Sequence, residues 1–344
     1  MQKFNLLDGK MIQLPNGVFA GVESYTCYPS GELEGIRLSE KNILVTHAGE
    51  LVPAHTETHR RKAKYSVEFY KNGMVKAVAL EEQQEIQTPI GEFPAELVTF
   101  FETGELRRFF PLDGKIGGLW SEEEEKSLAI PFSFDLPFTK FTAIISGVGF
   151  YKSGNIRSIT LFPGEMINVR TKYVEIPTRN GFSLYELGEL ESLEPSEPTQ
   201  IQTPIGAVTV FDPNAVGINA DSNSLIFDKS GEVTALTTVH NRVMVQTSEG
   251  RVLAFSPCEV VNPLDDETTI AEGLTIIFDY TGNTVILEGS NGKSTFHVGE
   301  SGFTIAAYNG SAHICGPVDC ARCALGCKSP SSLNLKFQLK PAAG

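Results

Sequence analysis

The sequence predicts an all-β chain, a repetitive antiparallel β-hairpin array in two related halves, followed by a short Cys-rich C-terminal segment. Three observations carry that prediction. A phrase of two apolar or aromatic residues, two variable residues and a glycine recurs along the chain. Period-two alternation of side chains follows it, which means strand. Glycine and proline are frequent, 32 and 19 in 344 residues, as a turn-dense β protein requires.

The clearest copies are FYKNGMVKAVALEEQQEIQTPIG (69–91) and LYELGELESLEPSEPTQIQTPIG (184–206), which align without a gap at an offset of 115. They share Tyr70/Tyr185, Gly73/Gly188 and the block IQTPIG, so an internal repeat is the first reading. Alternation puts Val75, Ala77 and Ala79 on one face, and Lys76, Val78 and Leu80 on the other. Asn72-Gly73 between two such runs predicts a type I′ hairpin turn. The phrase returns around Gly31, Gly104, Gly154, Gly231 and Gly282. A second signal, Thr-x-x-Gly, occurs at 46–49, 88–91, 178–181, 203–206 and 247–250. It trails the first by 18 residues after Gly31, Gly73 and Gly188, which implies one supersecondary unit used several times. Thr-Pro-x-Gly is turn chemistry, repeated because the fold repeats.

FFETGELRR…DGKIGGLWSEEEE (100–125) and FYKNGMVKA resemble MORN-type repeats, in the variant found in bacterial proteins that include antitoxin-like ones. The resemblance covers about half of the chain, in patches, and implies stacked β-hairpins in a long twisted sheet or solenoid. The Glu-Trp and His-Gly pairs of the eukaryotic form are absent, so its membrane and lipid binding is not carried over.

In chain order, residues 1–25 read as a lead-in strand with a turn at Pro15-Asn16-Gly17, and 26–54 as the first unit. His59-Arg60-Arg61-Lys62-Ala63-Lys64 reads as a solvated loop before a strand. Ser121 and Glu124 have capping-box spacing, predicting a short helix whose run Glu122–Glu125 is a solvated first turn. The Phe- and Pro-rich stretch 130–147 reads as the join between halves, since Gly154, Gly188 and Gly231 then follow the order of Gly31, Gly73 and Gly104. The expected divisions are 1–130, 131–300 and a Cys-rich segment with tail, 301–344.

A net charge of −14 argues against nucleic acid or anionic membrane as a partner, because phosphate binding needs a concentrated basic surface. The N-terminal stretch lacks the apolar run of a signal peptide, and no stretch approaches the ~18 apolar residues of a membrane span. The expectation is a cytoplasmic protein.

Asn291-Gly292-Lys293-Ser294-Thr295 mimics the end of a phosphate-binding loop, but Leu287 stands where its first glycine belongs, so a hairpin turn is expected. Asp265-Asp266-Glu267 reads as a solvated turn. Six histidines are scattered without a local nucleophile motif, which leaves only a triad assembled from distant residues for hydrolysis.

Cys27 and Cys258 read as core residues. Cys315, Cys320, Cys323 and Cys327 fall within 13 residues as C-x4-C-x2-C-x3-C, two residues after His313. Clustered thiols in a reducing compartment bind metal or do redox work more often than they form disulfides. Four thiolates suffice for a tetrahedral Zn²⁺ site or an iron–sulfur cluster, and the spacing completes neither ferredoxin pattern. Zinc, iron–sulfur and free or disulfide-linked thiols all stay open. Two readings of function result. One is a non-enzymatic binding or scaffold protein that uses its repeat surface to hold a protein partner. The other is a metal- or redox-responsive protein working through the cysteine segment.

Overall fold

The computed structural model describes residues 4–7, 10–14, 17–61, 64–215, 223–262, 265–289 and 292–308. The fold is nearly all β, with antiparallel hairpins as its unit. Among the described residues no helix is long and apolar enough to cross a membrane. The chain divides into two compact units, 1–199 with 215–235, and 200–214 with 236–344.

The first unit is built on one antiparallel sheet. Its strands follow in space the order Val22–Cys27, Leu33–Leu38, Val67–Phe69, Val75–Thr88, Gly91–Phe100, Leu106–Phe110, Ile145–Phe150, Ile156–Leu161, Glu175–Leu184, Leu190–Pro195 and Leu225–Phe227. The strand Leu106–Phe110 pairs directly with Ile145–Phe150, so the sheet runs on through the join at 130–147.

One register line crosses every strand from Ile36 onward: Ile36, Val67, Val78, Val98, Phe109, Val148, Ile159, Phe182, Leu193 and Leu225. Every one of them is 0% exposed. This apolar spine faces a second layer of hairpins that branch from the sheet. They are Leu44–Thr46 with Gly49–Leu51, the far ends of Val75–Thr88 and Gly91–Phe100, Phe132–Leu136 with Thr139–Ala143, and Ile167–Arg170 with the start of Glu175–Leu184. Main-chain bonds link neighbours in this layer, Gln87 N to Ala48 O at 3.0 Å and Arg170 N to Phe138 O at 2.9 Å. The Phe- and Pro-rich join is therefore itself one of the covering hairpins. Phe138 and Phe141 pack edge-on against Phe182, and Phe93 lies 5.1 Å from Phe109.

The turns explain the recurrent phrase and correct its geometry. In six copies the glycine N–H bonds back to the carbonyl three residues earlier, as Gly73 to Tyr70 at 2.9 Å, and Tyr70 N–H reaches Met74 O at 2.8 Å. The glycine alone has positive φ, +83° at Gly73, while Asn72 does not. This is a type I turn with a left-handed glycine completing a three-residue loop, not a type I′ turn. The same pair of bonds closes the loops at Gly31, Gly104, Gly154, Gly188 and Gly231. At the last copy Asn283 (φ +48°), not Gly282, takes the left-handed position. Thr46, Thr88 and Thr203 donate Oγ1 to the carbonyls of Gly49, Gly91 and Gly206, closing two-residue hairpins as expected. Thr178–Gly181 is different: it is a bulge inside Glu175–Leu184, and Thr171–Val174 makes the turn of that unit. Gly181 (φ +118°) is required there, because a Cβ would stand 2.0 Å from Ile159 O.

A ladder of phenols ties successive loops together. Tyr28 donates to Phe69 O, Tyr70 to Phe100 O, Tyr151 to Leu184 O and Tyr185 to Phe227 O, all at 2.7–2.8 Å. Burial holds the phenols of Tyr28, Tyr151 and Tyr185 above their ordinary value of 10.0. Lys71, Lys152 and Lys229 lie over the rings of Tyr28, Phe101 and Tyr185 at 5.5–5.7 Å, each lysine coming from the following loop.

The second unit holds the antiparallel strands Leu274–Asp279, Thr284–Gly289 and Gly292–His297, a three-stranded sheet of Val252–Phe255, Asn241–Gln246 and Gly302–Ala307, and the ribbon Cys258–Asn262 with Asp265–Glu272. Its core includes Val208, Val210, Val243, Val245, Leu274, Ile276, Val285 and Leu287. Gly289 pairs with Gly292, so the phosphate-loop mimic is a hairpin, as expected. Asp265 and Glu267 belong to a strand rather than a turn. Cys258 is buried as expected, whereas Cys27 is exposed.

Candidate functional site: the polar face of the first sheet

The face opposite the spine carries a second register line: Thr26, Gly35, Glu68, Ala77, Thr99, Arg108, Gly149, Ser158, Ser183 and Ser192. These residues are small or polar. The predicted alternation fails at Lys76, for a definite reason. Phe69 pairs with Val75 but Glu68 pairs with Ala77, so Lys76 is an extra residue in its strand. The slip returns Val78 to the spine and leaves Lys76, Ala77 and Ala79 together on the polar face, where all three line one cavity.

That cavity measures ≈ 880 Å³. Ala77, Ala79, Leu97, Thr99 and Thr160 are strand residues of its lining. Lys64 and Tyr65, Phe110, Leu112 to Gly114, Ile116 and Phe162-Pro163 surround them. Thr160 is 4% exposed, and its Oγ1 has no hydrogen-bond partner among the described residues. Gly35 is needed beside this site because the Tyr65 ring lies flat across it; a Cβ would meet Tyr65 Cγ at 2.6 Å. A second, more polar hollow of ≈ 560 Å³ shares Lys64, Tyr65 and Ala79 and adds His55, His59, Arg37 and Arg61.

Two long connections border these hollows, and one side chain holds both. Arg60 Nη1 and Nη2 bind the two carboxylate oxygens of Glu96 at 2.9 Å. Its Nε and Nη2 bind Glu125 at 2.8 and 2.9 Å. Exposure is 16% for the arginine side chain and 6% and 5% for the carboxylates. Glu125 also accepts from Gly114 N and Trp120 Nε1, and Glu96 from Asp113 N. Burial opposes the guanidinium charge, but the two carboxylates outweigh it and hold the Arg60 pKa above its ordinary value. His59 and Lys64 are exposed as a solvated loop requires, but the two arginines between them are not. Arg60 is enclosed, and Arg61 donates to the carbonyls of Leu80 and Glu81. Likewise the capping box of helix Glu122–Ser127 forms as predicted, with Glu122 to Glu124 in solvent, but Glu125 turns inward.

Glu81 anchors the other connection. It accepts from His55 N, Thr56 N and Thr56 Oγ1, and lies 3.2 Å from His55 Nδ1. Burial raises its pKa, yet these hydrogen bonds and the imidazole prevail and hold it below the ordinary 4.5. A carboxylate depressed in the folded state contributes stability above its unfolded value, lost as pH falls through the folded one. Glu81→Gln is thus expected to be less stable than the native chain at neutral pH, with the gap closing below pH 4.5. Urea midpoints at the two pH values check this.

Among the described residues, no hydrogen bond joins a histidine ring to a hydroxyl or thiol, and no group of three or more His, Cys, Asp or Glu is placed to hold a metal. Cys315, Cys320, Cys323 and Cys327, the residues the sequence marked for a metal or cluster, lie outside the described residues. The polar face was hidden from sequence reading by the extra residue at Lys76; the one available signal was the repeated charge three residues after Gly31, Gly73, Gly104, Gly154 and Gly188. The fold and its site define a β-hairpin repeat protein with an open, polar-faced sheet. Comparison with known protein families, curated proteins and solved structures finds no match.

Proposed function

We propose that this chain is a non-enzymatic binding protein, built from MORN-like β-repeats, that holds a protein partner on the polar face of its first unit. The observation supporting this is the pairing of a fully buried apolar spine with a small, polar row on the opposite face, of which Glu68, Ala77 and Thr99 line a cavity of ≈ 880 Å³. That volume lies within the range of ligand-sized clefts, and apolar walls with a few polar groups are their usual lining. The net charge of −14 favours a protein over nucleic acid.

The test is to select peptides from a random display library on the purified protein and measure their affinity for Thr99→Arg. A side chain that fills the cavity should weaken the selected peptides about tenfold or more, with the urea midpoint unchanged. Equal binding to native and variant protein places the contact elsewhere. A turnover by the purified protein, abolished by a single substitution on this face, replaces binding with catalysis.

A second reading rests on the four cysteines within 13 residues, which favour a metal- or iron–sulfur-responsive role. Elemental analysis of anaerobically purified protein should then find zinc or iron, lost in Cys320→Ser/Cys323→Ser. Unchanged metal content in the variant removes Cys315, Cys320, Cys323 and Cys327 as the site.

A further inference from the structure

The extra residue that places Lys76 on the polar face recurs in four other hairpins of the first sheet. Thr26 pairs with Gly35 but Cys27 with Leu33, leaving Glu34 over. The same skip leaves Arg107, Arg157 and Glu191. Each stands three residues after its turn glycine. The strands that carry them alternate with strands that do not, so neighbouring positions are two strands apart, ~9.6 Å at ordinary strand spacing. The track reads acid, base, base, base, acid. Arg107 and Arg157 are exposed, and Lys76 is shared with Glu68 at 3.0 Å. Three cations in register are unexpected in a chain of charge −14.

Beside the track runs the aromatic ladder of Tyr70, Phe101 and Tyr151, half-buried at the same pitch. Tyr28 and Tyr70 lie close enough to Lys76 to feel its charge. A polyproline II helix advances 3.1 Å per residue with three residues per turn, so side chains at i, i+3 and i+6 share a face ~9.3 Å apart. That spacing matches the track. Aromatic rows are also the surfaces on which polyproline II segments dock.

We propose that the track Lys76–Arg107–Arg157, with the aromatic ladder beside it, binds an acidic proline-rich peptide in polyproline II conformation, with a carboxylate at every third residue. The inference rests on the reading of the polar face as a binding surface and names the partner's chemistry. Glu34 and Glu191 repel a longer acidic run, which limits the recognised segment to three carboxylates. A duplex or single strand of nucleic acid meets the same two acidic ends and the net negative charge, and is disfavoured.

The test is fluorescence anisotropy with labelled Glu-Pro-Pro repeats. Controls are Glu-Pro repeats of equal charge, neutral Gln-Pro-Pro repeats and single-stranded oligo-dT. The Glu-Pro-Pro peptide should bind tightest, lose affinity as salt rises, and bind Arg107→Glu/Arg157→Glu about tenfold more weakly. Lys293→Glu, in the other unit, should bind as the native protein does. Equal binding of Glu-Pro and Glu-Pro-Pro repeats overturns the spacing argument. Unchanged binding to the double variant, or oligo-dT binding tighter than peptide, overturns the site or its occupant. If library-selected peptides are lost in Thr99→Arg while Glu-Pro-Pro repeats fail to bind, this inference falls and the binding reading stands. If both fail, both fall.

Discussion

Replacing Arg60 with methionine will destabilise the first unit by about 3–5 kcal/mol, because two enclosed carboxylates lose the counter-charge they share. Glu96 and Glu125 are 6% and 5% exposed, and each is bound at two points by the guanidinium. The comparison that isolates the cause is the triple variant Arg60→Met/Glu96→Gln/Glu125→Gln. Neutral amides leave no stranded charge, so part of the loss should return. Urea unfolding followed by the single Trp120, which donates to Glu125, reports directly on this network. A loss under about 1 kcal/mol for Arg60→Met would mean that water reaches these carboxylates, as in an exposed pair.

Phe109→Ala should cost about 3–5 kcal/mol, the range for emptying a large aromatic site in a packed core. Phe109 is 0% exposed, sits in mid-spine, and stacks between Phe93 and Phe150 at 5.1 and 6.2 Å. Because each hairpin of a repeat array leans on its neighbours, the damage should be local. Amide exchange should rise most in Gly91–Phe100, Leu106–Phe110 and Ile145–Phe150, and least in Val22–Cys27. Uniform loss of protection across the sheet would show that it unfolds as one block.

The hairpins were legible because glycine is the cheapest occupant of positive φ. Gly31, Gly73, Gly104, Gly154, Gly188 and Gly231 therefore stand in the sequence where the chain reverses. Long-range pairing was not legible. Nothing local marks Arg60 as the partner of Glu96 and Glu125, 36 and 65 residues away, so its cluster reads as a solvated loop. Period-two reasoning assumes one residue per step. A single extra residue such as Lys76 inverts the assignment downstream of it, which hid the polar row that the candidate site is made of. The covering role of Phe132–Leu136 and Thr139–Ala143 was likewise invisible, since a Phe- and Pro-rich stretch has the same composition whether it links halves or roofs a core.

The phenol ladder bears on how such a chain changes length over generations. Each tyrosine addresses the main-chain carbonyl just before the next loop, a group present whatever side chain stands there. A newly duplicated hairpin would find its acceptor ready and offer an equivalent one in turn. Growth or loss by whole hairpins then needs no compensating substitution at the seam. Phe101 is the rung without a hydroxyl, and it marks where such an addition or deletion would meet the weakest coupling between neighbours.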